Sequence, residues 1–169
     1  KIIKSEKVFI LPGEGVNTEK FIPMKKSENN NKTVFLMIAR AFFDKGVKEY
    51  VEAAEKIKSL YPDTEFEFLG ALGGNSVAGI DEAQMKSFVD RGIVREIIKN
   101  ADCIVLPSYR EGISRTLLEG ASMEKPLIAT NVTGCKNIII DGVTGFLAEP
   151  KNSQDLAEKI EKFMALSQE

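Results

Sequence analysis

Residues 33–39, Thr33-Val34-Phe35-Leu36-Met37-Ile38-Ala39, form a near-continuous apolar run without a single charge, and the fold turns on how that run is read. A half-buried strand would alternate apolar and polar residues, so an unbroken run of this length requires cover on both faces. That is the position of a central strand in a parallel sheet. Immediately beyond it, Val47, Tyr50, Val51, Ala54, Ile57 and Leu60 recur at helical spacing, and Pro62 follows as a stop.

The same alternation continues outward. Residues 65–69 (EFEFL) read as a strand closed by Gly70, residues 102–106 and 126–130 as further strands, and residues 145–148 as a short one. Residues 114–123 carry helical spacing, and residues 153–166 form an amphipathic helix that Asn152 or Ser153 can cap. Residues 81–89 and 96–99 read as short helices, and residues 8–11 as a short leading strand before turn chemistry at Gly13 to Asn17. Strands separated by helical segments of about 10 to 15 residues imply right-handed βαβ units. The expected class is therefore α/β, a parallel sheet with helices on both faces. Between Phe88 and Asp102 the pattern offers helix, Gly92 and helix, with no strand. Either residues are lacking around Ile93, which we favour, or the sheet is one strand short.

At 169 residues the chain fits one domain with a full core. Its 43% hydrophobic and 28% charged content, with a net charge of −2, describes a globular protein without a dedicated nucleic-acid surface. No apolar run approaches the ~18 residues of a membrane span, and the charged start is no signal peptide, so a cytoplasmic location is expected. Cys103 and Cys135 match neither a zinc nor a redox spacing and read as free thiols. The chain has no histidine, which removes Ser-His and Cys-His nucleophile systems and the commonest transition-metal ligand. Any chemistry must use carboxylates, Arg, Lys, hydroxyls and backbone dipoles. The abrupt start at Lys1 and the helix running almost to Glu169 read as a piece of a longer protein.

Two groups of residues fall at strand ends, where open α/β sheets bind ligands. Arg40 follows the central strand and Lys45 opens the next helix. They can share one anion, or they can be solvated loop-edge charges with Lys45 paired to Asp44. Glu111 and Glu119 lie in residues 107–120 (PSYREGISRTLLEG). On one helix they would stand about 80° apart around the axis and about 12 Å along it, too far for a shared proton or small metal. With Glu111 in the loop and Glu119 on the helix, they can grip two separated hydroxyl-bearing parts of an elongated ligand. Backbone N–H groups of Gly112, Ile113 and Ser114 would then face a diphosphate between them. Both can equally be ordinary exposed carboxylates. Gly134 with Cys135, in a turn after the 126–130 strand, is a third candidate at the same sheet edge, or simply a β-to-α turn. No GxGxxG follows the first strand, which speaks against a dinucleotide-binding oxidoreductase or epimerase.

Together, Arg40 with Lys45-Gly46, the Glu111 and Glu119 pair in PSYREGISRTLLEG, KPLIAT at 125–130 and TGCKNIIIDGVTGFLAEP at 133–150 resemble the carboxyl-terminal domain of family 4 retaining glycosyltransferases of GT-B fold. Residues 12–23 (PGEGVNTEKFIP) are similar to that family's interdomain segment, and residues 1–26 would be linker and first strand. The resemblance implies a single Rossmann-like domain over residues 1–169 that binds a UDP-sugar, needs no metal or other cofactor, and works with an acceptor domain outside this chain. It implies Glu111, Arg40 and Lys45 as catalytic residues, with Glu111 on the donor sugar and the two cations on the diphosphate. Glu119 would bind the ribose, with Gly112, Ile113, Ser114, Arg115, Thr116 and Gly134 completing the substrate site. The acceptor would be a glycan or lipid-linked glycan of a bacterial capsule or lipopolysaccharide, with the whole enzyme at the inner face of the cytoplasmic membrane. The alternative is an NAD- or nucleotide-binding Rossmann module, catalytic or not. In that family a helix-ending glycine is usual where Glu124 stands, so the helix must end either under strain or differently.

Overall fold

The computed structural model describes residues 15–27, 31–70, 85–86 and 91–166. Six parallel strands form one sheet in the order β3-β2-β1-β4-β5-β6: β1 (Thr33–Ile38), β2 (Thr64–Leu69), β3 (Met85–Lys86), β4 (Cys103–Leu106), β5 (Leu127–Thr130) and β6 (Gly145–Ala148). Helices α1 (Val47–Leu60), α2 (Arg91–Asn100), α3 (Arg115–Ser122), α4 (Thr133–Lys136) and α5 (Ser153–Leu166) connect and flank them. The chain winds outward from β1 in one direction and from β4 in the other. The two strands where the order reverses are therefore neighbours, and a crevice opens at their carboxyl ends.

The apolar run of β1 feeds two cores. Phe35 and Met37 point to one face, against Tyr50 and Ile57 of α1 and Leu156 and Ile160 of α5. Leu36 and Ile38 point to the other, with Ile98 of α2 and Leu117 of α3. Alternating side chains of a strand face opposite sides, so both faces must be roofed, and they are. Tyr50 is 3% exposed, and its hydroxyl lies 2.8 Å from the Phe35 carbonyl and 2.9 Å from that of Glu67. Burial without those partners would cost about 1–3 kcal/mol. Asn152 is the cap of α5, accepting from Asp155 N–H at 3.0 Å.

Three expectations need correction. Where a helix was expected over 81–89, Met85 and Lys86 form an edge strand in parallel register with Phe68 and Leu69. Two residues are too few to show a period, and pairing with β2 decides their conformation. The strand missed between Phe88 and Asp102 is thus supplied earlier, and α2 runs through Ile93 without a break. Residues 133–136 form a short helix rather than a plain turn. The leading strand expected at residues 8–11 lies outside the described residues.

Helix α3 ends in a six-residue closure: Lys125 N–H reaches the Gly120 carbonyl at 3.0 Å and Glu124 N–H reaches Ala121 at 3.0 Å. This geometry demands a left-handed residue, and Glu124 takes it at φ 56°. The helix therefore ends as glycine would end it, at the strain cost of a side chain. Gly120 inside α3 has its own reason, since a Cβ there would stand 2.9 Å from Ile104 of β4.

Candidate active site

Three loops meet at the carboxyl edge of β1, β4 and β5. The first passes through a 3-10 turn, Phe43–Lys45, and ends at Gly46 with φ 72°. A Cβ on Gly46 would lie 2.0 Å from the Pro107 carbonyl, so only glycine lets this turn abut the loop after β4. The second loop, residues 107–114, ends where Ser114 caps α3 by accepting from Leu117 N–H at 3.3 Å. The third opens α4, and a Cβ on Gly134 would stand 1.9 Å from the Gly112 carbonyl oxygen and 2.6 Å from that of Glu111.

Side chains lash the second loop to the first. Tyr109 N–H donates to the Asp44 carbonyl at 2.9 Å, and the Tyr109 hydroxyl donates to Glu49 Oε1 at 2.7 Å. Glu49 is 7% exposed, and its Oε2 has no partner among the described residues. The phenol of Tyr109 is pushed up to about 12 by desolvation and, next, by the Glu49 carboxylate. Arg110 Nε approaches Asp44 at 3.7 Å, and the Phe43 ring meets Tyr109 edge-on at 5.2 Å. The outcome is an ion pair between Lys45 Nζ and Glu111 Oε1 at 2.7 Å, with both side chains less than one-fifth exposed. Lys45 thus pairs across the crevice with Glu111, and not with its neighbour Asp44.

Glu119 stands elsewhere in the crevice. With Arg115 and Thr116 it lines a cavity of about 310 Å³, closed by Ile38, Val94 and residues of the leading segment such as Asn17, Lys20 and Phe21. Arg115 approaches Glu119 one helical turn away at 3.9 Å, and the Thr116 hydroxyl donates to the Ile38 carbonyl at 3.2 Å. Gly112 packs against Gly134, and Ile113 sits half-buried beside it. The Ser114 hydroxyl oxygen accepts the cap bond, which orients the hydroxyl while its hydrogen can still be donated. Arg40 is exposed and lies over the Phe42 ring at 4.8 Å; among the described residues it enters no ion pair. The two expected cations are therefore not gathered in one place. Cys103 and Cys135 are free and fully buried. Burial, reinforced by the charge of Glu111, raises the Cys135 thiol to about 12. A larger cavity, about 530 Å³, lies toward the amino ends of β5 and β6 and includes none of the candidate residues.

Sequence reading missed Glu49, Tyr109 and the cavity wall formed by the leading segment. A signal existed for Glu49: a carboxylate beside Val47 and Tyr50 on the buried side of an amphipathic helix needs a donor. Nothing local marked Asn17 or Lys20, whose position depends on how Phe21 docks on α3.

Residues 18–169 match the family model described as glycosyl transferases group 1. The chain belongs to this family. It is 31% identical to an N,N'-diacetylbacillosaminyl-diphospho-undecaprenol alpha-1,3-N-acetylgalactosaminyltransferase of Campylobacter jejuni, over 94% of the chain and 45% of that protein. It is 27% identical to the capsular polysaccharide biosynthesis glycosyltransferase CapM of Staphylococcus aureus, over 96% of the chain and 47% of that protein. The chain thus spans about half the length of these relatives. Among solved structures, the C-terminal domain of a group 1 family glycosyl transferase (LpcC) from Francisella tularensis superposes with a TM-score of 0.76 at 27% identity, covering 91% of this chain and 90% of that one. The resemblance drawn from PSYREGISRTLLEG and its companions is borne out, and the group 1 family leaves no place for a dinucleotide oxidoreductase. Among the described residues, no helix is long and apolar enough to cross a membrane.

Proposed function

We propose that this group 1 chain is the donor half of a retaining glycosyltransferase that passes a hexose or N-acetylhexosamine from a UDP-sugar to a glycan or lipid-linked acceptor. The whole enzyme would build bacterial surface polysaccharide at the inner face of the cytoplasmic membrane, with an acceptor domain outside this chain. The observation that carries the reading is the Lys45–Glu111 pair at the strand-order reversal, with Glu119 in an adjoining cavity. A nucleotide sugar needs a carboxylate for sugar hydroxyls, cations for its diphosphate and a carboxylate for its ribose, in that order along one crevice.

In this reading Glu119 accepts from the ribose diol and Glu111 from hydroxyls of the sugar. Lys45, joined by Arg40 when that exposed side chain swings in, stabilises the negative charge that grows on the departing diphosphate. Positive side chains do here what a divalent ion does elsewhere, so no metal is required. Calorimetric titration of UDP into the chain tests the reading. Saturable binding is expected, weakened at least several-fold by Glu119→Ala and by Lys45→Ala and unchanged by EDTA. No binding at millimolar UDP, or binding indifferent to both substitutions, refutes it.

A further inference from the structure

Two destabilising features of the fold converge on one phenol, that of Tyr109, in the loop that carries Glu111. The first is a buried carboxylate. Glu49 of α1 is 7% exposed; its Oε1 accepts the Tyr109 hydroxyl at 2.7 Å, while its Oε2 has no partner among the described residues. It shares α1 with Val47, Tyr50 and Ala53, all in the apolar core, so a hydrophobic side chain in its place would strand no oxygen. The second is a left-handed lysine. Lys151, in the turn between β6 and α5, has φ 61° and holds its ammonium 5.1 Å from the centre of the Tyr109 ring. A side chain in that backbone region is strained and persists only where its surroundings demand it.

Stability alone would select neither feature, and a buried oxygen without a partner calls for an explanation. The explanation lies in what Tyr109 joins. Its N–H donates to the Asp44 carbonyl at 2.9 Å, and its ring meets Phe43 edge-on at 5.2 Å, both in the turn that ends at Lys45. Tyr109, two residues before Glu111, is thus fastened to the residue just before Lys45. With desolvation pushing its phenol up to about 12, Tyr109 stays a donor to Glu49 across the neutral range. The place of the loop that supplies Glu111, and with it the 2.7 Å bond to Lys45, therefore depends on an anchor in α1.

We propose that Glu49, acting through Tyr109, is a positioning residue for the donor sugar: it fixes where Glu111 stands in the crevice, and so whether the second oxygen of Glu111 meets a sugar hydroxyl. The inference rests on the nucleotide-sugar reading of the site and adds to it a residue of α1 that does not itself touch the donor. A group that only held the fold together would act on every ligand alike. Glu49 acts on the sugar and leaves the nucleotide as it is, because Glu119 sits on α3, beyond the Ser114 cap that closes the loop.

Titrations of the chain with UDP, UDP-glucose and UDP-N-acetylglucosamine test this, with Glu111→Ala as the reference for a lost sugar contact. Glu49→Met combined with Tyr109→Phe removes both polar partners at nearly constant volume, so the paired variant should melt no lower than wild type. It should nonetheless weaken the sugar nucleotide that Glu111→Ala weakens, by about three- to tenfold, while UDP stays within about twofold. In a Glu111→Ala chain the same pair of changes should weaken that ligand no further, since the effect passes through Glu111. Glu49→Gln, whose amide oxygen still accepts from the phenol, should keep wild-type affinity. Equal weakening of UDP and sugar nucleotide, no weakening of either, a loss that persists in the Glu111→Ala chain, or a Glu49→Gln chain as impaired as the paired variant overturns the inference alone. If Glu111→Ala spares both sugar nucleotides relative to UDP, it falls together with the reading beneath it.

Discussion

Gly134→Ala is the most exacting test of how the three loops hold the site. The added Cβ would stand 1.9 Å from the Gly112 carbonyl oxygen and 2.6 Å from that of Glu111. Ordinary carbon–oxygen contacts begin near 3.3 Å, so the Gly112 carbonyl must retreat by about 1.4 Å or α4 must shift by as much. Neither partner is a flexible side chain: both are backbone, and Cys135 beside Gly134 is wholly buried. Overpacking of this kind costs about 1–3 kcal/mol, equivalent to about 2–12 °C in Tm for a chain of this length. The displaced segment carries Glu111, whose bond to Lys45 is 2.7 Å. In the proposed reading, a shift of about 1 Å at such a positioned residue would cost about a hundredfold in catalysis, and UDP-sugar binding should weaken with it. Scanning calorimetry and UDP-sugar titration on the same variant measure both. A Gly134→Ala chain with Tm within 1 °C of wild type and unchanged affinity would show that the loops do not constrain one another, and the account of the site would be wrong.

Glu124→Gly should act in the opposite direction: relief of a left-handed side chain at φ 56°, less the entropy glycine gains on unfolding, gives about 0.5–1 kcal/mol of added stability and a rise of about 2–3 °C in Tm. A fall in Tm would mean that the Glu124 side chain makes a compensating contact. The buried thiol of Cys135 gives a pH signature. Its pKa is raised from 9.0 to about 12 in the folded chain, so its contribution to stability is complete below about pH 9 and is lost as pH climbs toward 12. Urea midpoints should be level from pH 7 to 9 and then fall, with a shallower fall in Cys135→Ala; at pH 7 neither thiol should react with a thiol reagent until the chain is unfolded.

The central strands and their flanking helices were legible because burial on both faces leaves an unmistakable composition. Residues 33–38 and 103–106 need no alternation to be recognised, since nearly every side chain meets a core. Met85–Lys86 was illegible for the converse reason. Its identity as a strand comes from hydrogen bonds to Phe68 and Leu69, not from its own pattern. At the site, the placement of Glu111 in the loop after β4 and of Glu119 on the helix that follows was legible, because loop positions after strands are fixed by topology. Their partners were not. Whether Lys45 meets Asp44 or Glu111 depends on Gly46 lying against Pro107 and on Tyr109 reaching Glu49, contacts between residues up to 66 positions apart. Arg40 shows the limit from the other side, since an exposed side chain over Phe42 has no packing to dictate where it rests.

The Lys45–Glu111 bond also bears on how an anion could enter the crevice. With side chains only 19% and 13% exposed, removing either partner would leave a charge with little water to replace it. A diphosphate therefore gains little by evicting Glu111. It need not do so, because an ammonium has three donors and Glu111 Oε1 occupies one of them. In the proposed reading Lys45 holds phosphate oxygen and Glu111 together, and Glu111 keeps its second oxygen for a sugar hydroxyl. The ion pair then orients both residues before the donor arrives, so that little reorganisation is left for the transfer itself. Arginine at position 45 would preserve the charge but replace three pivoting donors with a planar fork, which suits two parallel acceptors better than acceptors on divergent sides. In the proposed reading, lysine at this position suits the geometry of what it bridges.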